Sequence, residues 1–296
     1  MNQPLQTITS AAQPDASRHA RRIALLAVRS LYRELALYPK PGLVSFRDSG
    51  AHRDMDAATF VRSLFSLRGY FVAIATAGMV DAKFAGLQQL GVAAESRMLR
   101  ATRGINTHRG AIFTLGILAA AAGRATVRNM TLSDENLRAI VTDNWSRDLR
   151  AIVVAGDATP SHGQLMAARH GVTGARGEAM QAFPTVFEVA LPALRSALAH
   201  GAGTRHALLH TFFVLLAETT DTNVLFRGRA EGLQFIQAQA TDFLERGSVF
   251  EPGWQQRAEV LHRRCSARNL SPGGCADLLA AAWFVHQLQT TMRTRP

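Results

Sequence analysis

LYPKPGLVSFRDSGAHRDMD, running from Leu37 to Asp56, is the stretch on which the reading of the fold turns. Pro39 and Pro41 fix φ and lack amide donors, and each pushes the residue before it, Tyr38 and Lys40, out of the α region. Gly42 and Gly50 add backbone freedom. The stretch is therefore an ordered loop between two helices, and it presents Lys40, His52, Asp54 and Asp56 together. Such a cluster suits a phosphorylated, metal-bound ligand. The plainer alternative is a solvated loop whose Asp56 caps the next helix. Loops on a rigid scaffold carry function often enough to keep both readings in play.

On either side of this loop the pattern is helical. Residues 1–16 are polar and aperiodic and read as a flexible tail. From Ser17, the positions Ile23, Leu26, Ala27, Ser30 and Leu31 recur at three and four, which predicts a helix to about Leu37. After the loop, Asp56 is a good N-cap. Phe60, Leu64, Leu67, Phe71 and Ile74 then mark one face of a long helix, apolar all round from Gly69 to Val80 and so central. Glu95–Ala101 ends another helix.

Thr102–Gly110 (TRGINTHRG) is polar, bounded by glycines, and precedes the small-residue apolar helix Ala111–Ala122. Free amides and the helix dipole make such a start a ready anion site, lined by Asn106, Thr107, His108 and Arg109. The alternative is an ordinary helix start with Thr107 as cap. Ser133–Ala155 reads as a helix with an acidic first turn. Residues 156–177 are rich in Gly, His and Arg, and Arg176 and Glu178 open the helix after them, which Pro184 and Pro192 punctuate.

Thr204–Phe226 reads as a second buried helix, yet it contains Glu218 and the run TTDTN. A carboxylate in a dry place needs a partner, so Asp221 is expected to meet a cation: Arg227, another arginine or a metal. Asn223 and Arg227 are four apart and share a face if the helix continues. The last part holds a helix over Trp254–Ala267, a turn at Ser271–Gly274 and a terminal helix, Ala276–Leu288. Ser271 either caps that helix or touches a phosphate, and Asp277 sits in its first turn.

No strand alternation and no nucleotide or zinc consensus pattern is present. The reading is one all-α domain over residues 17–296. Its 296 residues are 47% hydrophobic and 19% charged, enough for a sizeable core. The net charge of +11 comes from scattered arginines, since Lys40 and Lys83 are the only lysines. Without a basic stripe or interleaved aromatics, this favours an anionic small molecule over nucleic acid. Neither Gly69–Val80 nor Ala111–Ala122 reaches the length of a membrane span, and two cysteines offer no metal spacing, so a reduced cytoplasm and no membrane are expected.

Six stretches in order resemble the triphosphoribosyl-dephospho-CoA synthase family, which has a citrate lyase branch and a malonate decarboxylase branch. They are YPKPGLVS (Tyr38–Ser45), GAHRDMD (Gly50–Asp56), GINTHRGAIF (Gly104–Phe113), GARGEA (Gly174–Ala179), DTNVLFRG (Asp221–Gly228) and NLSPGGCADLLA (Asn269–Ala280). The resemblance covers about Ser17 to Phe284. Three positions depart from it: Arg229 and Ala182 stand where glycines belong, and Cys275 where a serine does. The chain's Arg/Ala-rich style favours the malonate decarboxylase branch.

The resemblance implies that ATP and 3′-dephospho-CoA give 2′-(5″-triphosphoribosyl)-3′-dephospho-CoA and adenine. The product is the precursor of the prosthetic group of an acyl-carrier subunit, passed on by a downstream acyl-carrier-protein transferase. Loss of adenine from C1′ of the ribose makes the transition state oxocarbenium-like. A carboxylate near C1′ and a base for the acceptor hydroxyl are then needed. Asp221 and Glu178 are candidates for the first role or for holding a metal, and His52 is a candidate base or a donor to departing adenine. Lys40, His108, Arg109, Arg176 and Arg227 are phosphate candidates, with Asn106, Thr107, Asn223 and Ser271 as further substrate contacts. Mg²⁺ is the implied cofactor, with Asp54 and Asp56 as a D-x-D pair to hold it. The rival readings are a metal-dependent nucleotide or ADP-ribose hydrolase on an all-α fold, and a basic module that binds RNA or a carrier protein.

Overall fold

The computed structural model describes residues 12–155 and 174–292. Their regular structure is helical, with no strand among the described residues. The α-helices are α1 (Ala12–Ala36), α2 (Ala57–Ser66), α3 (Arg68–Met79), α4 (Phe84–Ala101), α5 (Arg109–Val127), α6 (Asp134–Ala155) and α7 (Gly174–Met180). They continue with α8 (Leu191–Ala199), α9 (Thr204–Glu218), α10 (Thr222–Glu245), α11 (Trp254–Ala267) and α12 (Gly273–Thr291). A π-helical turn, Thr185–Ala190, leads into α8, and a 3₁₀ turn, Ser248–Phe250, lies between α10 and α11.

Helix α5 is the axis, packed by α1, α3, α4, α6, α7 and α12. Its small residues explain why. Ala111, Ala119, Ala120, Ala121, Ala122 and Ala125 are fully buried, and two glycines let backbones touch. A Cβ at Gly78 of α3 would overlap the Ala120 carbonyl, and one at Gly123 of α5 would overlap the Ala75 carbonyl. The 19-residue α5 is apolar enough to cross a membrane, further than the expected Ala111–Ala122 run, but 78% of it is buried inside the bundle.

Several expected boundaries move. Helix α1 begins at Ala12, ahead of Ser17; Pro14 falls in its first turn, where the amide it lacks would have no partner. The long helix after Asp56 is two helices broken at Leu67, whose ψ is −6°. Ser66 Oγ donates to the Ser63 carbonyl there at 2.7 Å, local bonding that competes with the helix ladder. The second apolar helix stops at Glu218, because Thr219 is extended (ψ 135°) and Asp221 starts a new helix. The terminal helix starts at Gly273 rather than Ala276. Residues 156–173 lie outside the described part. Cys265 and Cys275 are both buried free thiols.

The loop 37–56 is ordered by contacts that sequence distance hides. His262 of α11 sits with Nδ1 2.7 Å from the Lys40 carbonyl and Nε2 2.9 Å from Asp48 Oδ1. Arg205 donates to the Tyr38 carbonyl at 2.8 Å. Gly42 (φ 71°) runs so close to the Leu270 carbonyl that a side chain would collide with it. This fastens the loop beside the start of α12, where the cavity opens.

Candidate active site

A cavity of about 1410 Å³ lies where the N-termini of α5, α10 and α12 meet the 37–56 loop, with α1, α3, α4 and α7 also contributing to its walls. Each helix start leaves unpaired amides, and these amides hold carboxylates.

Asp221 is the N-cap of α10 and is 3% exposed. Oδ1 accepts from the amides of Asn223 (2.8 Å) and Val224 (3.1 Å). Oδ2 accepts from the Cys275 amide at 2.8 Å, in the first turn of α12. The expected cation is therefore replaced by two helix N-termini, which supply partial positive charge instead. Gly273 and Gly274 allow this approach: a Cβ on Gly274 would stand 2.9 Å from Asp221 Oδ2, and one on Gly273 2.9 Å from Asn223 Nδ2. Burial still outweighs the three amides and raises the Asp221 carboxyl above its usual range.

A second carboxylate, Asp277 of α12, does the same for α5. It accepts from the Ala111 amide, and any side chain at Gly110 would overlap its carboxyl group. Burial, with Glu34 and Asp221 nearby, pushes Asp277 well above the usual carboxylate range. Glu34, Asp221 and Asp277 all line the cavity. In the sequence Asp277 falls in a helix first turn, and neither it nor Glu34 carries a functional signal. Neither could be found from spacing, because the partners lie far along the chain.

Lys40 takes a different place from the one expected. Its side chain is fully buried and paired with Glu34, and it does not line the cavity. Burial lowers its pKa against the pull of Glu34. Its contribution is to balance the charge of Glu34 from behind. Asp56 also stays outside the cavity. Its Oδ1 accepts from the Thr59 amide (2.8 Å) and hydroxyl (2.7 Å), so it caps α2, which was the plainer alternative.

The rest of the expected set comes together in the cavity wall: His52, Asp54, Asn106, Thr107, His108, Arg109, Arg176, Glu178, Asn223, Arg227 and Ser271. Arg227 Nη2 lies 3.2 Å from His52 Nδ1, and His52 Nε2 lies 2.7 Å from Ser271 Oγ. Guanidinium only donates, so Nδ1 accepts and the neutral ring carries its proton on Nε2, donated to Ser271. Burial and then the Arg227 charge lower the His52 pKa, against Asp54, which agrees with the neutral form. Both ring nitrogens are thus engaged, and the Ser271 hydroxyl hydrogen is left for a ligand. Ser271 caps nothing. Arg227 Nη1 also donates to Asn269 Oδ1 at 2.7 Å. Asp54, with a side chain 62% exposed, stands at the rim, 3.7 Å from His52.

At the start of α5, Asn106 Oδ1 rather than Thr107 receives the Arg109 amide, at 3.1 Å. Thr107 donates to Ser63 Oγ (2.7 Å), which lies 2.6 Å from His108 Nδ1. His108 Nε2 is buried with no hydrogen-bond partner among the described residues. Burial and the Lys40 charge bring the His108 pKa down to about 3, so the ring is neutral. Arg109 pairs with Glu95 of α4. Glu178 of α7 accepts from the Thr185 amide (3.1 Å) and hydroxyl (2.6 Å), and burial raises its pKa.

The donor chemistry is that of hard oxygen ligands and guanidinium groups. Among the described residues, no three His, Cys, Asp or Glu side chains are grouped to hold a metal by themselves. Hard oxygen donors are the ligands Mg²⁺ takes, one or two carboxylates acting alongside substrate phosphates.

Fold and cavity together describe a class of all-α protein whose large polar-floored cavity opens where helix N-termini converge. The comparisons narrow this. Residues 20–295 match the family ATP:dephospho-CoA triphosphoribosyl transferase, and the chain belongs to that family. It is 38% identical over 285 residues to the 2-(5″-triphosphoribosyl)-3′-dephosphocoenzyme-A synthase of Pectobacterium atrosepticum, covering 93% of each chain. Relatives named "Probable 2-(5″-triphosphoribosyl)-3′-dephosphocoenzyme-A synthase" occur in Acinetobacter calcoaceticus (37% identity, 94% of this chain and 95% of the relative) and, numbered 1, in Salmonella typhi (41%, 88% of each). No solved structure matches. These names support neither the hydrolase nor the binding-module alternative.

Proposed function

We propose that this cavity moves the triphosphoribosyl group of ATP onto the 2′-hydroxyl of 3′-dephospho-CoA and releases adenine. The observation that carries this reading is the convergence of Asp221, Asp277 and Glu34 with Arg109, Arg176 and Arg227 in one cavity. The arginines bind phosphate oxygens. Asp221 is the carboxylate assigned to stabilising a cationic ribose, and Glu178 of α7 lines the same cavity. Asp277 and Glu34 are the carboxylates suited to a Mg²⁺ arriving with ATP, in place of the Asp54–Asp56 pair, of which Asp54 alone faces the cavity. When bound, Mg²⁺ would neutralise triphosphate charge. His52, its nitrogens spanned by Arg227 and Ser271, orients the serine hydroxyl toward the substrate rather than serving as the base.

The product would go to a downstream acyl-carrier-protein transferase as a prosthetic-group precursor. The arginine- and alanine-rich composition supports the malonate decarboxylase branch, and two buried free thiols are in keeping with a reduced cytoplasm. The test is purified protein with ATP, Mg²⁺ and dephospho-CoA, followed by mass spectrometry. The expected result is free adenine matched by enlarged coenzyme. Adenine without the enlarged product would mean hydrolysis, and absence of both would overturn the reading.

A further inference from the structure

Helix α4 contributes Phe84, Leu87, Gln88, Gly91, Val92 and Glu95 to the cavity wall. Their spacing of three and four puts them on one face. The stripe ends at Glu95, which holds Arg109, so it runs directly into the anion-binding end of the cavity. Arg109 Nε is buried there without a hydrogen-bond partner among the described residues. Ile74, Phe113 and Ile117 line the same cavity, so this part is apolar where the floor is polar.

Gly91 lies in the interior of α4, where glycine weakens a helix. Among the described residues, no neighbouring atom lies within 4 Å of where its Cβ would stand. Packing therefore does not demand glycine here; what its absence of a side chain preserves is free space beside the cavity.

We infer that the α4 stripe seats the extended pantetheine arm of the dephospho-CoA acceptor, with Gly91 keeping its channel open and Arg109 at the diphosphate end. The inference rests on the transferase reading. Length supports the arm: Phe84 to Glu95 spans about 16 Å of helix. A chain of a dozen bonds from diphosphate to thiol extends about 14 Å at the rise of an extended backbone. Chemistry supports it too. The arm is linear and mostly apolar with two amides, and Gln88 offers one amide group midway along an otherwise apolar stripe. A purine base would instead call for a short flat slot.

The test is Gly91→Phe, beside Gly91→Leu and Gln88→Ala. Both glycine replacements remove a poor helix former, which favours folding, and circular dichroism checks it. Gly91→Phe is expected to raise the KM for dephospho-CoA at least tenfold while the KM for ATP stays within twofold. Gly91→Leu should do the same less strongly, and Gln88→Ala should raise only the acceptor KM. Calorimetry with 4′-phosphopantetheine, independent of turnover, should show binding to the wild type and at least tenfold weaker binding to Gly91→Phe. A rise in the ATP KM alone would place the donor on this stripe and overturn the inference, as would unchanged constants for both substrates. Failure of the transferase reading is distinct: the wild type itself would then form no enlarged coenzyme.

Discussion

Asp221 accepts three backbone amides drawn from two helices. Asparagine keeps the shape but offers one acceptor oxygen, so its NH₂ would face an amide donor. Asp221→Asn is expected to cost about 1–3 kcal/mol, the range for leaving a buried polar group unsatisfied, read as a lower urea midpoint. Helical circular dichroism should persist while turnover is abolished, and near-normal turnover would remove Asp221 from the chemistry. Asp277 makes a pH prediction. Its folded pKa lies well above that of the unfolded chain, so between those values the folded state binds more protons. Its contribution to stability is therefore present at low pH and is lost as pH rises above about 4, the unfolded carboxylate value. Asp277→Asn keeps an acceptor for the Ala111 amide without the charge. Its Tm relative to wild type should climb as pH goes from 4 to 7, and a constant difference would mean that the burial of this charge is not felt. The cation expected for Asp221 was a sound demand met by an unforeseen donor: a buried carboxylate needs compensation, but periodicity does not reveal that the start of α12, more than fifty residues on, faces it. Lys40 was misplaced for a related reason, since nothing in the loop's own sequence points back to Glu34.

Helix α10 bends at Arg229, where φ is 56° and ψ −160°. This region is nearly glycine-only and costs about 1–3 kcal/mol for other residues. Ala182, the other residue standing where the family resemblance puts glycine, also has positive φ (55°). The two departures thus mark the backbone's own demands: one allows the bend that follows Arg227, the other the turn between α7 and the π-helical turn. Arg229 is exposed, so Arg229→Gly removes strain with little packing to lose. It should stabilise by about 1 kcal/mol and raise Tm by about 2–4 °C; an unchanged or lower Tm would show that the bend is relaxed with arginine in place. The element types were legible because α1 shows apolar recurrence at three and four while α5 and α9 are long apolar runs. The breaks at Leu67 and Thr219 were not, because neither has proline or glycine at the break, and each depends on hydroxyl or capping bonds made after the chain folds.

Segments around residues 52, 108, 176 and 221–227, distant in sequence, line one cavity, as the transferase reading requires. Convergence has an electrostatic consequence. The floor bears Glu34, Asp221 and Asp277, of which only Glu34 has a lysine behind it, and Asp221 and Glu34 help to raise the Asp277 pKa. Such a floor would repel a bare triphosphate, while Arg176 and Arg227 in the walls would attract one. On the proposed reading, a divalent cation arriving with the nucleotide would resolve the conflict, and Mg²⁺ prefers phosphate and water oxygens to protein cages. Two results should follow. Calorimetry with Mg²⁺ alone should give no saturable heat at micromolar concentrations, whereas ATP should bind measurably only when Mg²⁺ is present. Chelation by EDTA should stop adenine release, and added Mg²⁺ should restore it. Tight Mg²⁺ binding without nucleotide would imply a preformed cage that the described residues do not provide, and turnover in EDTA would mean that the arginines alone manage the triphosphate against the acidic floor.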